Sequence, residues 1–273
     1  SFPSDQVQWR GMNFTQVKSA ISNQQGLLTI SQMQGNLDGG QLSLPGSLDA
    51  RGETPHASFK PQLDNVEIGT ILQAFDYSIN LTGKLSLTGE FSGDKIDADE
   101  FRRSWQGQAQ IQMKDTRTEG LNFQQLVQQA VERSTNVQAQ ENYDNATRLD
   151  DVSTELQLNN GLVTLKGLQG QSELMALTGQ GELNLLKEEC DMRFNVRVLG
   201  GWKGESKLID RLKQTAIPLR IYGNWQTLSY SLQVDQILRK QLQDEAKKRL
   251  NEWVERNKDT QDGKDVKKLL DKL

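Results

Sequence analysis

The sequence predicts a mainly β fold with several short helices, an α+β protein whose long, twisted and curved antiparallel sheet forms a groove or half-pipe and ends in a C-terminal helix. Three observations predict it. Apolar and polar residues alternate over long stretches, as only a period of two allows. The 23 glycines of the 273-residue chain punctuate these stretches where turns are needed. Hydrophobic residues make up only 35% of the chain and the mean hydropathy is -0.67, so the strands are half-wet; the doubly buried parallel sheet of an α/β enzyme would need more apolar residues.

The first element is a candidate repeat. Offsetting the chain by 135 residues aligns Gly26 to Ala50 with Gly161 to Leu185, and 8 of the 25 positions are identical. Each copy reads as a strand, a glycine turn and further short strands, and such units extend a sheet sideways. A second echo, at an offset of 55, sets Ile68, Ile71 and Leu72 against Phe123, Leu126 and Val127 at helical spacing. A strand-like run precedes each, Ala57 to Pro61 and Gln108 to Met113. Helices are therefore expected over 66–76 and 121–133, the second capped by Asn122.

The clearest strand runs from Ile79 to Phe91, with Ile79, Leu81, Gly83, Leu85, Leu87, Gly89 and Phe91 on one face. Gly83 or Gly89 marks a bend or bulge. Residues 132–148 are polar and read as a mobile loop or an extended helix end. Met192, Phe194, Val196 and Val198 alternate with polar residues, and so do Leu228, Tyr230, Leu232 and Val234. A short helix is expected over 205–214 and a long one over 235–257, with Asp235 as a possible cap and acidic-to-basic pairs four residues apart on its exposed face. The expected division is a repeat-containing curved sheet domain over 1–234 and a C-terminal amphipathic helix with a polar tail over 235–273. The long helix is expected either to pack across one end of the sheet and hide an unpaired edge or to lie on a membrane surface.

Charge and cysteine content exclude several functions. A net charge of -4 with interspersed signs gives no basic field for nucleic acid. Cys190 is the only cysteine, so no intramolecular disulfide or thiolate cluster can form. Apolar runs fall far short of the roughly 20 residues that span a bilayer.

No catalytic constellation emerges. His56 is the single histidine, at what reads as the start of a strand. Asp94, Asp97, Asp99 and Glu100 do not follow EF-hand spacing and read as a solvated turn. Glu188, Glu189 and Asp191 read as a hairpin connection that gives Cys190 no activating environment. Gly200 to Ser206 lacks P-loop spacing and reads as a glycine-rich connection anchored by Trp202. The expectation is a non-enzyme without cofactor or metal.

Leu121 to Leu126 with Gln138 to Thr147, Arg193 to Val198 with Gly200-Gly201-Trp202, Pro218 to Trp225, Tyr230 to Gln236 and Lys264 to Lys268 together resemble the C-terminal region of the AsmA family. That resemblance implies a periplasmic protein held at the inner membrane by an N-terminal segment absent from this chain, with a part in outer-membrane protein assembly and envelope lipid homeostasis. It implies phospholipid or another envelope lipid as a partner, besides assembly or inner-membrane proteins, and carries no active-site residues.

Residue pattern and resemblance together put a candidate lipid groove on Ile79, Leu81, Leu85, Leu87, Phe91, Ile111, Met113, Met192, Phe194, Val196, Val198, Leu219 and Ile221. A diacyl lipid of about 30 methylenes needs about 24 kcal/mol of hydrocarbon shielding, which only a continuous apolar face supplies. About ten strands would extend the sheet about 48 Å. The alternative is a closed core whose function lies in surface contacts with assembly factors.

Overall fold

A computed structural model of the chain describes residues 4–272. In chain order its elements are β1 (Ser4–Trp9), β2 (Met12–Gln24), β3 (Leu27–Leu37), β4 (Gly40–Ser43), β5 (Gly46–Asp49), β6 (His56–Phe59), β7 (Gln62–Glu67), α1 (Ile68–Ala74), β8 (Leu81–Gly93), α2 (Ala98–Ser104), β9 (Gln106–Glu119) and α3 (Phe123–Ser134). There follow β10 (Gln138–Ala139), β11 (Ala146–Asn159), β12 (Leu162–Gln171), β13 (Met175–Asn184), β14 (Glu189–Val198), β15 (Trp202–Lys203), α4 (Lys207–Gln214), β16 (Ile217–Asn224), β17 (Thr227–Leu232), α5 (Asp235–Arg256) and α6 (Gln261–Leu270).

Fifteen of the strands form one antiparallel sheet, and β10 pairs with β15 as a separate ribbon. Two prolines explain the apparent branching. Pro45 separates β4 from β5 and Pro61 separates β6 from β7; proline donates no hydrogen bond, so each long strand is interrupted there. The ladder continues through their carbonyls, with Lys60 N donating to Pro45 O at 2.9 Å and Gly89 N to Pro61 O at 3.1 Å. Counted this way, every sheet position pairs with its sequence neighbours from β1 to β17, and among the described residues the sheet does not close. Thirteen positions span about 58 Å, wider than the ten strands expected.

The two copies of the repeat share one register. Leu27 faces Asp49 as Leu162 faces Asn184, and Thr29 faces Ser47 as Thr164 faces Glu182. Each begins at a left-handed pair, Gln25-Gly26 and Asn160-Gly161. Each closes with the same bond at 2.8 Å, Ala50 N to Gly26 O and Leu185 N to Gly161 O.

Bulges bend the sheet. Gln16 and Val17 oppose Gly35 on β3, Asp64 and Asn65 oppose Ser86 on β8, Asp115 and Thr116 oppose Gly83, and Lys166 and Gly167 oppose Gln180 on β13. In each, one residue of the pair (Gln16, Asn65, Asp115, Gly167) has a positive φ between 52° and 58°. An extra residue twists the strand and resets its alternation. Leu63 and Val66, three apart, thus share a face, and so do Leu165 and Leu168. Gly83, at φ 142°, lies at one of the bends that glycine was expected to mark.

All four expected helices form. Asn122 caps α3 by accepting from Gln125 N at 3.0 Å. Two expectations near the helices are corrected. The acidic stretch near Asp97 holds α2, because Asp97 caps it by accepting from Glu100 N at 2.7 Å. Asp235 does not cap α5; Val234 occupies that position, and Asp235 accepts from Ser134 Oγ at 2.8 Å instead. Nor does α5 run along the last strand. Leu238 enters the core, Gln241 Nε2 donates to Thr215 Oγ1 at 2.8 Å, and Glu245 pairs with Arg211 of α4 at 2.7 Å. The helix doubles back over α3 and α4.

A Cβ on Gly83 would lie 3.0 Å from Lys114 O and 3.1 Å from Thr116 Cα, at a φ that L-residues avoid. Gly83→Ala is expected to cost about 1–3 kcal/mol in urea unfolding, while Gly52→Ala, which meets nothing within 4 Å, stays within about 0.5 kcal/mol.

Candidate functional site

Antiparallel register fixes which side chains share a face. Leu42 faces Leu63, Leu63 faces Leu87, and Leu87 faces Ile111. Farther along, Ala109 faces Leu156, Leu156 faces Leu165, Leu165 faces Gly181, and Gly181 faces Met192. Met192 faces Ile221, and Phe194 faces Leu219. One apolar face therefore runs across most of the sheet, and the helices lie on it.

Three clusters occupy that face. Around α1, Leu85 is buried with Val66, Leu37 and Met12, while Leu87, Ile111 and Met113 pack against them with part of their surface open. Ile79 and Phe91 join an aromatic group of Phe59, Phe101, Tyr77, Trp105 and Trp225. Phe59 stacks on Trp105 at 6.2 Å, and Tyr77 meets Trp225 at 6.0 Å, so residues of both halves of the sheet share this cluster. Met192, Val196, Val198, Leu219 and Ile221 lie in the largest cluster, under α3 and α4, where Phe123 meets Phe194 at 5.2 Å. Leu81, the first residue of β8, is partly buried.

The thirteen candidate residues thus divide. Leu85, Met192, Val196, Val198, Leu219 and Ile221 are each at most 7% exposed and form core. Ile79, Leu81, Leu87, Phe91, Ile111, Met113 and Phe194 keep accessible surface. With Leu42, Leu156 and Leu165, also partly open, Leu87 and Ile111 form a strip between the α1 and α3 clusters.

The opposite face is polar and follows the same register. Gln34, Gln41, Gln62, Thr88, Gln110 and Glu155 line an open trough of about 920 Å³. Its amides and hydroxyls alternate with the apolar residues that face the helices, as period two requires.

Sequence reading missed a buried amide network. Gln128 is 0% and Gln124 3% exposed, held because both reach the backbone of the β14–β15 connection. Gln128 Nε2 donates to Gly200 O at 2.9 Å, and Tyr143 Oη donates to Gln128 Oε1 at 2.9 Å. Gln124 Nε2 donates to Gln140 Oε1 at 3.1 Å. The close approach needs Gly201, whose Cβ would fall 2.3 Å from Gln124 Nε2. The one legible signal was the glycine pair beside Trp202, which packs on the core and donates from Nε1 to Val198 O at 3.1 Å.

The polar stretch 132–148 is therefore not a loose loop. Ala139 is 3% exposed, Val137 packs on the core, and Arg117 grips Asp144 through Nη2 at 2.9 Å. The hydrogen bond from Arg117 holds the Asp144 carboxyl below its ordinary value. A depressed carboxylate stabilises the fold above its unfolded value near 3.9, and that contribution fades as pH falls through the folded one.

His56 Nδ1 lies 3.2 Å from Asp94 in the open, and burial pushes the Cys190 thiol up, away from a nucleophile's range. Asp191, beside it, is taken by Arg220 through two bonds of 2.9 Å.

Gln128→Leu deletes the hub of the amide network and strands the Tyr143 hydroxyl. Chemical denaturation is expected to show a loss of about 1–3 kcal/mol, against less than about 0.5 kcal/mol for the neighbouring Gln129→Leu.

Comparisons with known proteins converge. The model of the AsmA family matches residues 1–168. The chain is 64% identical to Protein AsmA of Escherichia coli (strain K12) over 268 residues, 98% of this chain and 43% of that protein. It thus spans less than half the length of that relative. No solved structure matches. On this family match and this identity, the chain belongs to the AsmA family.

Proposed function

We propose that the chain serves envelope biogenesis as a non-enzymatic scaffold that holds the acyl chains of a phospholipid or other envelope lipid against the apolar face of its sheet. Periplasmic placement, a membrane anchor in the remainder of the protein, and contacts with assembly proteins belong to the same proposal. The observation that carries it is the partly open strip of Leu42, Leu87, Ile111, Leu156 and Leu165, bordered by clusters already dry. An acyl chain laid there gains about 0.8 kcal/mol per methylene shielded. The strip narrows the candidate groove to the β4–β12 region, since Val196, Val198 and Leu219, each at most 1% exposed, are covered by the protein's own helices.

That coverage also favours a second reading. If the helices and the aromatic group close the entire face, the protein works through its surfaces alone.

A charge separates the two. Leu87→Arg sits on the partly open strip, where the guanidinium can reach water, so this variant is expected to unfold within a few degrees of wild type yet lose bound lipid in mass spectrometry of gently purified protein. Val196→Asp buries a charge that is 0% exposed in wild type and is expected to cost about 3–5 kcal/mol. Thr88→Arg, on the polar face, leaves stability and lipid unchanged. Wild-type protein that retains no lipid while still complementing an envelope-defective strain, or Leu87→Arg unfolding as readily as Val196→Asp, removes the lipid strip and leaves the closed scaffold.

A further inference from the structure

The last strand of the sheet is an open edge of unusual chemistry. Among the described residues β17 pairs only with β16, and α5 turns back over α3 and α4. Natural edges are blunted by lysine, proline or a bulge. The run Thr227-Leu228-Ser229-Tyr230-Ser231-Leu232 carries no charge and no proline, and its register with β16 has no bulge. Ser229, Tyr230 and Ser231 are exposed, Tyr230 at 48%.

The order of residues in this edge is palindromic about Tyr230: Leu-Ser-Tyr-Ser-Leu reads the same in both directions. Placed antiparallel against a second copy, with Tyr230 opposite its own counterpart, it sets each Leu228 against Leu232 and each Ser229 against Ser231. Leucines and tyrosine then continue the apolar face, the serines continue the polar one, and no like charges meet. Other registers lose this matching.

We propose that β17 is a self-association edge through which two copies of the chain join their sheets about a two-fold axis at Tyr230. The contact is isologous, so it consumes both edges and stops at two. A single strand pair buries well under the roughly 800 Å² per partner of a standard interface, so the dimer is weak and concentration-dependent. Its effect is to double the width of one continuous sheet.

Directly opposed residues in an antiparallel pair have Cα atoms about 4.5 or 5.5 Å apart, within the roughly 4.4–6.8 Å that a disulfide bridges. In the full chain carrying Cys190→Ala, Tyr230→Cys is expected to cross-link to a dimer under mild oxidation. Thr227→Cys, whose two copies would lie about 20 Å apart along the strands, is not. Light scattering of the otherwise native chain is expected to show dimer at about 100 µM and monomer at about 1 µM, as befits so small a contact. Ser229→Glu with Ser231→Glu sets carboxylates against each other across the axis and should abolish the dimer. Ser229→Lys with Ser231→Glu sets opposite charges there and restores it, which a merely misfolded edge would not do. Three results overturn the proposal: a chain that stays monomeric at every concentration, which would assign the edge to a different protein's strand; equal cross-linking at both positions; or species that grow beyond two, which would mean β1 adding to β17.

Discussion

Everything in this molecule depends on one constraint: an unbroken antiparallel hydrogen-bond ladder in which each sheet position pairs with its neighbours in sequence. Once the backbone groups are satisfied in that way, side chains fall alternately on two faces, and a slip of one residue in any strand would send its leucines into water. The apolar face then demands cover. Helices α1, α3 and α4, with the aromatic group around Trp105, supply it from segments inserted between strands, and α3 covers strands as far from it in sequence as β14 and β17.

The polar elements serve the same end. A helix on a sheet face brings its own side chains toward the core, and α3 brings two glutamines. They remain buried because Gly200 O, Gln140 and Tyr143 complete their hydrogen bonds, and each unmet bond would cost more than the amide gains by packing. Segment 132–148 is ordered by this network and by Arg117, which converts a polar stretch without an apolar stripe into a fixed wall of the largest cluster.

Covering the face also shapes what the protein can do. Where helices sit, the sheet is core and unavailable to a ligand. Between the α1 and α3 clusters, leucine and isoleucine side chains keep some surface, and it is there that the proposed acyl chain would lie without displacing a helix. The strand edges obey a different logic, because an edge strand presents backbone donors and acceptors whatever covers the faces.

The strands from 81 to 91, two residues short of the expected start at Ile79, and from 192 to 198, the four expected helices and the repeat at an offset of 135 residues were legible in the sequence, because period-two alternation, helical spacing and glycine turns are local signals. Family membership was legible too, in words such as Pro218 to Trp225. Bulges hid part of the pattern: Leu63 and Val66 share a face only because Asn65 adds a residue, and the sequence does not reveal which residue the opposite strand leaves unmatched. The candidate groove was legible as a face and illegible as a site. Alternation assigns Leu87 and Val196 alike to the apolar side, but only the packing of α3 and α4 makes one partly open and the other fully buried. Periodicity is set by neighbouring residues along the chain, whereas cover depends on segments that meet only after the sheet has curved, so the sequence by itself determined the faces and the tertiary structure decided which part of them stayed open.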